Sequence, residues 1–462
     1  MIIFKFNIKP SVYTIKGKEH KIKSGHIDLI LSFIINRMII NEDLQNGYVE
    51  IPSFSFRKLY DNYWVYISYL IKNEIIERKP YSVQNHICYG YRFCYQFIKE
   101  LNIEEVIFND PCERTEDYKE IPFEDQALID FKLVHRLKSD FHSAEIDTIH
   151  IDKVRVEDTA YVDAKKYFYN IIQLHKWKSG NEHNYFEWKS NRLYTNFTFL
   201  SSHYRKSNIK LNGESLVEFD ISSSFPLMLA IYCVKMNPDI VNDYDFKEYC
   251  TSIKQKSFYE DLTVSLNRTK DCDSKKAKTD TYGNQITNRR FTKDIVKKLF
   301  QIFLNGDSAR TAYVEGYSNS FIREQFQLKY PPVYEIIERV KSNNEQIYYK
   351  LSKIESEFIF GIVGDLYNKV PDLKVVTCHD ALYIPLPYKE IGTEVWDMHM
   401  KSLLETLPDN IDRFKVDSSF LEELGIYEED NTSIMKRKSN NRFIDFGDDF
   451  DDEEDDFDWF YS

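Results

Sequence analysis

Two aspartates far apart in the chain stand in settings where an ionised group needs a reason. The stretch "SLVEFDISSSFP", residues 215 to 226, alternates as a strand and ends in Asp220. Leu216, Glu218 and Asp220 share one face, and Val217 and Phe219 the other. The stretch "LKVVTCHDALYIPLP", residues 373 to 387, reads as a strand, a His379–Asp380 pair and a second strand, which puts Asp380 at the tip of a hairpin. A carboxylate in so apolar a context is costly unless it is paired or metal-bound. Two carboxylates at one site repel by roughly 4 kcal/mol at an effective dielectric of about 20, and are stable chiefly with cations between them. The matching chemistry is two-metal phosphoryl transfer, in which divalent ions about 4 Å apart activate a hydroxyl and steady the leaving oxygen. Two Mg2+ ions are expected, with Mn2+ as a substitute, and the Ile221 carbonyl is a further hard oxygen ligand. Asp220 has a competing role as the cap of a helix starting near Ser224, with Pro226 in its first turn.

Between the two aspartates lies "RRFTKDIVKKLFQIFLNGD", residues 289 to 307, with the period of a helix ending at Gly306. Lys293, Lys297, Gln301 and Asn305 recur every four residues on one face, while Ile295, Val296, Leu299, Phe300 and Phe303 lie mostly on the other. A cationic helix face opposite two metal-binding aspartates suits a triphosphate, because lysine supplies charge and donors to non-bridging oxygens. The same pattern also describes a solvated surface stripe.

Other elements must hold these segments. Residues 1–24 read as an N-terminal extension. Residues 25–98 read as helix ("HIDLILSFIINRMII"), short strand ("YVEIPSF"), a second long amphipathic helix ("FRKLYDNYWVYISYLIKNEII", with Leu59, Tyr63, Ile67, Leu70 and Ile71 buried) and a hairpin. That order resembles a winged helix-turn-helix, whose second helix would enter a major groove and whose hairpin would lie on phosphates. A small α+β domain without DNA contact has the same order. Residues 99–190 read as a mostly helical connector that could serve as a thumb. Residues 191–425 alternate strands and helices densely, and 426–462 form an acidic tail too poor in apolar residues to fold alone.

Taken in order, an aspartate on a strand, a lysine-bearing helix ending in glycine, and His-Asp on a hairpin resemble the three motifs of family A DNA polymerases and phage-type single-subunit RNA polymerases. The best fit is to the compact family A-like enzymes of transposons, plasmids and phages, which lack a proofreading exonuclease. Lys297 stands nine residues before Gly306 and Lys293 four before Lys297, the spacing of that family's helix motif, with Lys298 as the alternative register. The resemblance implies an α+β fold, a right-hand polymerase-like palm with helical fingers behind a winged-helix-like N-terminal domain. It implies Asp220 and Asp380 as the catalytic metal ligands, and Lys297, Lys293 and Ser223 on the triphosphate. Phe225 would pack where the nucleotide sugar sits and exclude a 2′-hydroxyl. His379 would lie near the primer terminus, with Arg192, Thr195 and Arg205 of "RLYTNFTFLSSHYRKSNIKLNG" on the template and primer backbones. Substrates would be primer-template DNA and nucleoside triphosphates. The sequence departs from the family in "DISSSFP", which reads equally like the first motif of family B polymerases. It also departs in His-Asp-Ala without a following Glu, and in Asn305 where the helix motif ends in an aromatic.

Charge and composition limit the alternatives. The net charge is −13, yet the last 20 residues hold ten acids and no Lys or Arg, and without them the chain carries −3. Residues 254 to 298 hold twelve Lys and Arg against six Asp and Glu, a local cationic stretch that a polyanion would feel. No run of 18 apolar residues occurs, so no membrane partner is expected, and the start lacks the pattern of a signal peptide. Seven irregularly spaced cysteines without CxxC suit reduced thiols in the cytoplasm. The tail would mimic nucleic acid, recruit a protein through "DWFYS", or only aid solubility. Competing functions are a non-catalytic replication initiator or regulatory DNA-binding protein, and an RNA polymerase or primase of the same superfamily. A two-metal nuclease needs no triphosphate helix.

Overall fold

The structure, a computed structural model, describes residues 2–8, 11–15, 17–41, 44, 47–80, 88–101, 103–108, 130–148, 162–180, 184–273, 290–306, 313–314 and 317–409. The acidic tail lies outside them. The fold is mixed α+β, and every strand pairing among the described residues is antiparallel. No described helix is long and apolar enough to cross a membrane.

A five-stranded sheet occupies the middle, in the spatial order Val376–Cys378, Ala381–Pro385, Glu214–Asp220, Ile209–Leu211 and Glu145–Ile146. The alternation read in the sequence decides what each face meets. Val217, Phe219, Leu382 and Ile384 belong to a core built with the helices Ser224–Met236, Lys293–Asn305, Ile347–Lys369 and Lys389–Glu405. Leu216, Val376, Ala381 and Tyr383 belong to a second core that runs into the N-terminal half. The sheet is therefore buried on both sides, and strand Ala381–Pro385 has no exposed residue.

The N-terminal half departs from expectation in three places. The long second helix is two, Ser53–Leu59 and Tyr63–Lys72, because Tyr60 is extended and Asp61–Asn62 make the turn that those residue types favour. Bending there keeps Phe56 and the stripe Val65, Tyr66, Ile67 and Leu70 against one core. The helix Ser24–Ile40 and a three-stranded sheet ordered Val49–Glu50, Gly90–Phe93, Ile76–Lys79 complete the unit.

Second, residues 1–24 are built in rather than appended. Strand Ile3–Phe6 pairs with Ile103–Ile107, and a hairpin Ser11–Ile15/Lys18–Ile22 follows. The free edge of the first strand is satisfied by side chains four residues apart on helix Ser24–Ile40. Asn36 accepts from the Ile2 N–H, Ser32 from Phe4 and Asp28 from Phe6, at 3.1, 2.8 and 3.1 Å.

Third, residues 99–190 supply strands as well as helices. Glu145–Ile146 extends the central sheet, and helix Phe131–His142 carries the buried Asp140 to the lead-in of the hairpin. Asp140 accepts from the Tyr367 hydroxyl at 2.6 Å and the Val375 N–H at 2.9 Å, and Lys374 lies 3.1 Å away.

On the other face, Gly392 lets helix Lys389–Glu405 lie directly on the sheet. A Cβ there would stand 2.6 Å from Ile384 Cδ1 and 2.7 Å from Phe219 Cζ. Gly392→Ala should therefore lower the urea midpoint. Overpacking of this kind costs about 1–3 kcal/mol, against roughly 1 kcal/mol gained in helix propensity. An unchanged or raised midpoint would show that the packing yields.

Candidate functional site

Strand Glu214–Asp220 pairs with Ala381–Pro385 in a register that sets Glu218 opposite Tyr383 and Asp220 opposite Ala381. One residue beyond the ladder, the Ile221 N–H donates to the Asp380 carbonyl at 3.3 Å. Two carboxylates separated by 160 positions thus end adjacent strands at the same end of one sheet. Asp220 is exposed and Asp380 half-buried, so both can meet a ligand from solvent. The helix-capping role for Asp220 is not realised. The N-cap of Ser224–Met236 is Ser223, which has φ +58° and makes no capping bond with its side chain.

The hairpin turn consists of His379 and Asp380 alone, with Cys378 opposite Ala381. So tight a turn needs a positive φ, and His379 supplies +52°, a conformation that costs a non-glycine residue about 1–2 kcal/mol. Its ring meets Tyr194 edge-on at 5.3 Å, and Nδ1 is shut from solvent with no hydrogen-bond partner among the described residues. Burial, then the charges of Arg192 and Arg205, hold its pKa well below 6.5, so the ring is neutral at physiological pH.

Beside the turn stands a buried polar cluster. Arg192, on strand Arg192–Thr195, donates through Nε to Glu355 Oε1 at 3.1 Å and through an η-nitrogen to the Tyr348 hydroxyl at 2.7 Å. The other Glu355 oxygen accepts from Ser224 Oγ at 2.6 Å. Burial opposes the charge on Arg192, but Glu355 and the neighbouring tyrosines outweigh it and raise its pKa. Phe225 is half-buried, with Tyr348 at 5.9 Å and the Arg192 guanidinium at 5.8 Å from its ring.

This cluster corrects one expectation. Arg192, Thr195 and Arg205 were to touch the backbones of template and primer, but they are only 6%, 3% and 5% exposed. Arg192 is committed to Glu355. The Thr195 N–H donates to Thr198 Oγ1 at 3.0 Å. Arg205 donates to Cys378 Sγ and lies 5.4 Å over the Tyr383 ring. They are interior because their strand and helix pack under the hairpin, and a duplex cannot reach them there.

The lysine helix runs from Lys293 to Asn305, opened by Thr292, whose hydroxyl accepts from the Ile295 N–H at 3.3 Å. Ile295, Val296, Leu299, Phe300 and Phe303 are buried as the period requires, Lys297 is half-buried and Lys298 exposed. Gly306 is required at its end, since a Cβ would sit 2.8 Å from the Ile302 carbonyl oxygen. Lys293 turns instead toward Glu260 at 2.8 Å, an exposed pair of the kind worth about 0–1 kcal/mol. The structure brings Asp220, Ile221 and Asp380 together on the sheet, whereas Lys297 belongs to the layer of helices packed through Ile347–Lys369.

Sequence reasoning missed Glu355, although Leu351, Glu355, Ile359 and Ile362 share one stripe of their helix and an acid in an apolar stripe signals a buried partner. It also left Glu218 without a role. Glu218 accepts from Lys206 at 2.6 Å and from the Tyr383 hydroxyl.

Among the described residues no group of three or more His, Cys, Asp and Glu converges on one point. Two carboxylates from two strands still fit Mg2+, which is typically held by one or two carboxylates together with water and substrate phosphates. No family model matches the chain, and no curated protein or solved structure matches it.

Burial pushes the Glu218 carboxyl up, but hydrogen bonds from Lys206 and Tyr383 and the charges of Lys206 and Arg205 leave it below its ordinary 4.5. A depressed carboxyl stabilises the fold above its unfolded pKa, and that stability is lost as pH falls through the folded value. Glu218→Gln should be less stable than the unaltered protein in urea at neutral pH. The difference should begin to shrink as pH drops below about 4.5 and vanish only once pH is below the depressed folded value. A gap that does not depend on pH would contradict this account.

Proposed function

We propose that the chain is a template-dependent nucleotidyltransferase, a DNA polymerase that extends a primer on template DNA. The observation that carries this reading is the junction of the two strands, where Asp220 and Asp380 come from remote segments and share one end of the sheet. Asp220, Asp380 and the Ile221 carbonyl would hold Mg2+. When bound, the metal would lower the pKa of the primer 3′-hydroxyl and stabilise charge on the leaving oxygen. The 3′-oxygen attacks the α-phosphorus, the α–β bridging bond breaks, pyrophosphate leaves and the hydroxyl proton passes to solvent.

The remaining roles follow from chemistry and position. Lys297 offers charge to the triphosphate, and the main-chain N–H groups at the start of helix Ser224–Met236, after Ser223, have no partner within the helix and favour anions. Neutral His379 gives the primer terminus a hydrogen bond without a competing positive charge. The Arg192–Glu355–Ser224 cluster fixes the helix start that carries Phe225. In this reading the unit from Ser24 to Phe93, with its order of helix, strand, two helices and two strands, is a winged helix-turn-helix that handles DNA.

Asp220→Ala and Asp380→Ala should each cut primer extension by about 10³-fold or more, the effect of losing several kcal/mol of transition-state stabilisation. DNA binding, read by fluorescence anisotropy, should stay within about twofold of the unaltered protein, since these carboxylates act on the metal rather than on bound DNA. Extension retained by either variant would refute the site. For the sugar, Phe225→Ala should raise ribonucleotide incorporation relative to deoxynucleotide on matched pools. Efficient ribonucleotide use by the unaltered protein would instead favour an RNA polymerase or primase.

A further inference from the structure

The hairpin Ser11–Ile15/Lys18–Ile22 lies along helix Tyr63–Lys72. Tyr13 and His20 are cross-strand partners on its inner face. Tyr13 packs edge-on against Tyr69 at 5.7 Å, its hydroxyl donates to the Ser68 carbonyl at 3.4 Å, and the Lys72 ammonium sits 5.1 Å over its ring. His20 meets Trp64 edge-on at 5.9 Å. Trp64, Ser68 and Lys72 follow at four-residue intervals and make the outward stripe of the helix, opposite buried Tyr66 and Leu70. The chain's own hairpin therefore lies across the face that a winged helix-turn-helix would lay in a major groove, with only the outer parts of Trp64 and Lys72 left open to solvent.

What the hairpin shows to solvent is cationic. Lys18 near the turn, Lys21 on the outer face and Lys23 at the exit are exposed, as are Arg57 and Lys58 on the preceding helix and Lys72. None of these six forms an ion pair among the described residues. Residues 11–26 and 53–72 contain only two acids, Glu19 and Asp61, in a chain whose net charge is −13. A local positive strip on an acidic protein is where a polyanion is drawn.

The aromatic residues decide which polyanion. Proteins that hold single strands present rings for bases to stack on. Here Tyr13 and His20 face inward, and the outer face carries Val12, Thr14, Glu19 and Lys21. The exposed rings beside it are already engaged, Phe54 by the Lys58 ammonium at 5.6 Å and Trp64 by His20, so the outer face of the hairpin grips phosphates and presents no ring of its own to an unstacked base.

We propose that the hairpin 11–22 is the arm by which the N-terminal unit holds the phosphate backbone of duplex nucleic acid, through Lys18, Lys21 and Lys23, and that helix Tyr63–Lys72 reads no major groove. The inference rests on the nucleic-acid-handling part of the proposed function.

The test is a salt titration of the full chain with a labelled duplex of arbitrary sequence, followed by fluorescence anisotropy. Each phosphate that the protein no longer neutralises reduces the slope of log K against log salt by about 0.9. Lys18→Ala/Lys21→Ala/Lys23→Ala should lower that slope by about 2–3 and weaken low-salt binding by about tenfold or more. A control removing Lys235, Lys350 and Lys369, which pair with Glu357, Glu345 and Glu394, should leave the slope unchanged. Should circular dichroism show the triple variant unfolded, Lys21→Ala alone should lower the slope by about 1. An unchanged slope in the hairpin variants, or an equal drop in the control, overturns the inference. An unaltered protein that binds duplex with this lysine dependence but makes no DNA would end the polymerase reading and leave the arm standing.

Discussion

The antiparallel pairing of Glu214–Asp220 with Ala381–Pro385 is the constraint on which the rest depends. Side chains alternate along a strand, so a slip of one residue would exchange Leu216, Glu218 and Asp220 for Val217 and Phe219 against every neighbour they meet. Both faces of this pair are buried against different cores, so such a slip would bury charge on one side and expose apolar surface on the other. Register is held at its flanks as well. Asp140 fixes the lead-in to the hairpin, the tyrosine opposite Glu218 hydrogen-bonds to it across the ladder, and Gly392 lets a helix lie against Phe219 and Ile384.

Around that pairing the interior holds buried polar and charged groups, among them Arg192, Arg205, Ser224 and Glu355. A lone buried arginine would be costly, since breaking a buried ion pair by removing one partner typically costs about 3–5 kcal/mol. Arg192 is tolerated because Glu355 and Tyr348 use its donors, and the second Glu355 oxygen takes the Ser224 hydroxyl. Such a pair contributes little net stability compared with apolar packing, but it is demanding in geometry. It joins a strand, a long helix and the start of a second helix at one point, next to two positive-φ residues, Ser223 and His379. Strained backbone of this kind persists only where the surroundings over-determine it, and here the surroundings are this cluster.

Much of this was legible in the sequence, for identifiable reasons. The strand ending at Asp220, the hairpin tipped by Asp380 and the helix ending at Gly306 were all readable, because period-two and period-3.6 patterns are local. The break at Asp61–Asn62 was also encoded, but the apolar residues on both sides keep helical spacing and conceal it. The pairing of residues 3–6 with 103–107 was not legible, since nothing local specifies a partner a hundred positions away. Arg192 was misplaced because a basic residue in an amphipathic stretch looks the same whether it meets phosphate or a buried carboxylate, and only the position of Glu355 separates the two. Thr195 and Arg205 were misplaced because their partners, Thr198 and Cys378, leave no local mark.

The two halves share more than a linker. One continuous core holds Ile27, Leu31, Phe56 and Leu70 of the N-terminal unit, Phe168 and Trp177 of helix Val162–Lys178, and Tyr204, Tyr383 and Cys378 beneath the aspartates. Phe168 touches both Phe4 and Phe93, and Trp177 stacks on Phe141 at 4.3 Å and meets Phe197, which packs on Tyr383. Aromatic packing thus runs from the first strand to the sheet. Domains tethered by a flexible linker would bury little across their boundary, and each would turn independently. Burial on this scale instead fixes the N-terminal unit in relation to Asp220 and Asp380. Under the proposed function, a polymer gripped by its cationic surface would then reach the aspartates along a path set by the fold, and the N-terminal unit would orient the substrate as well as capture it.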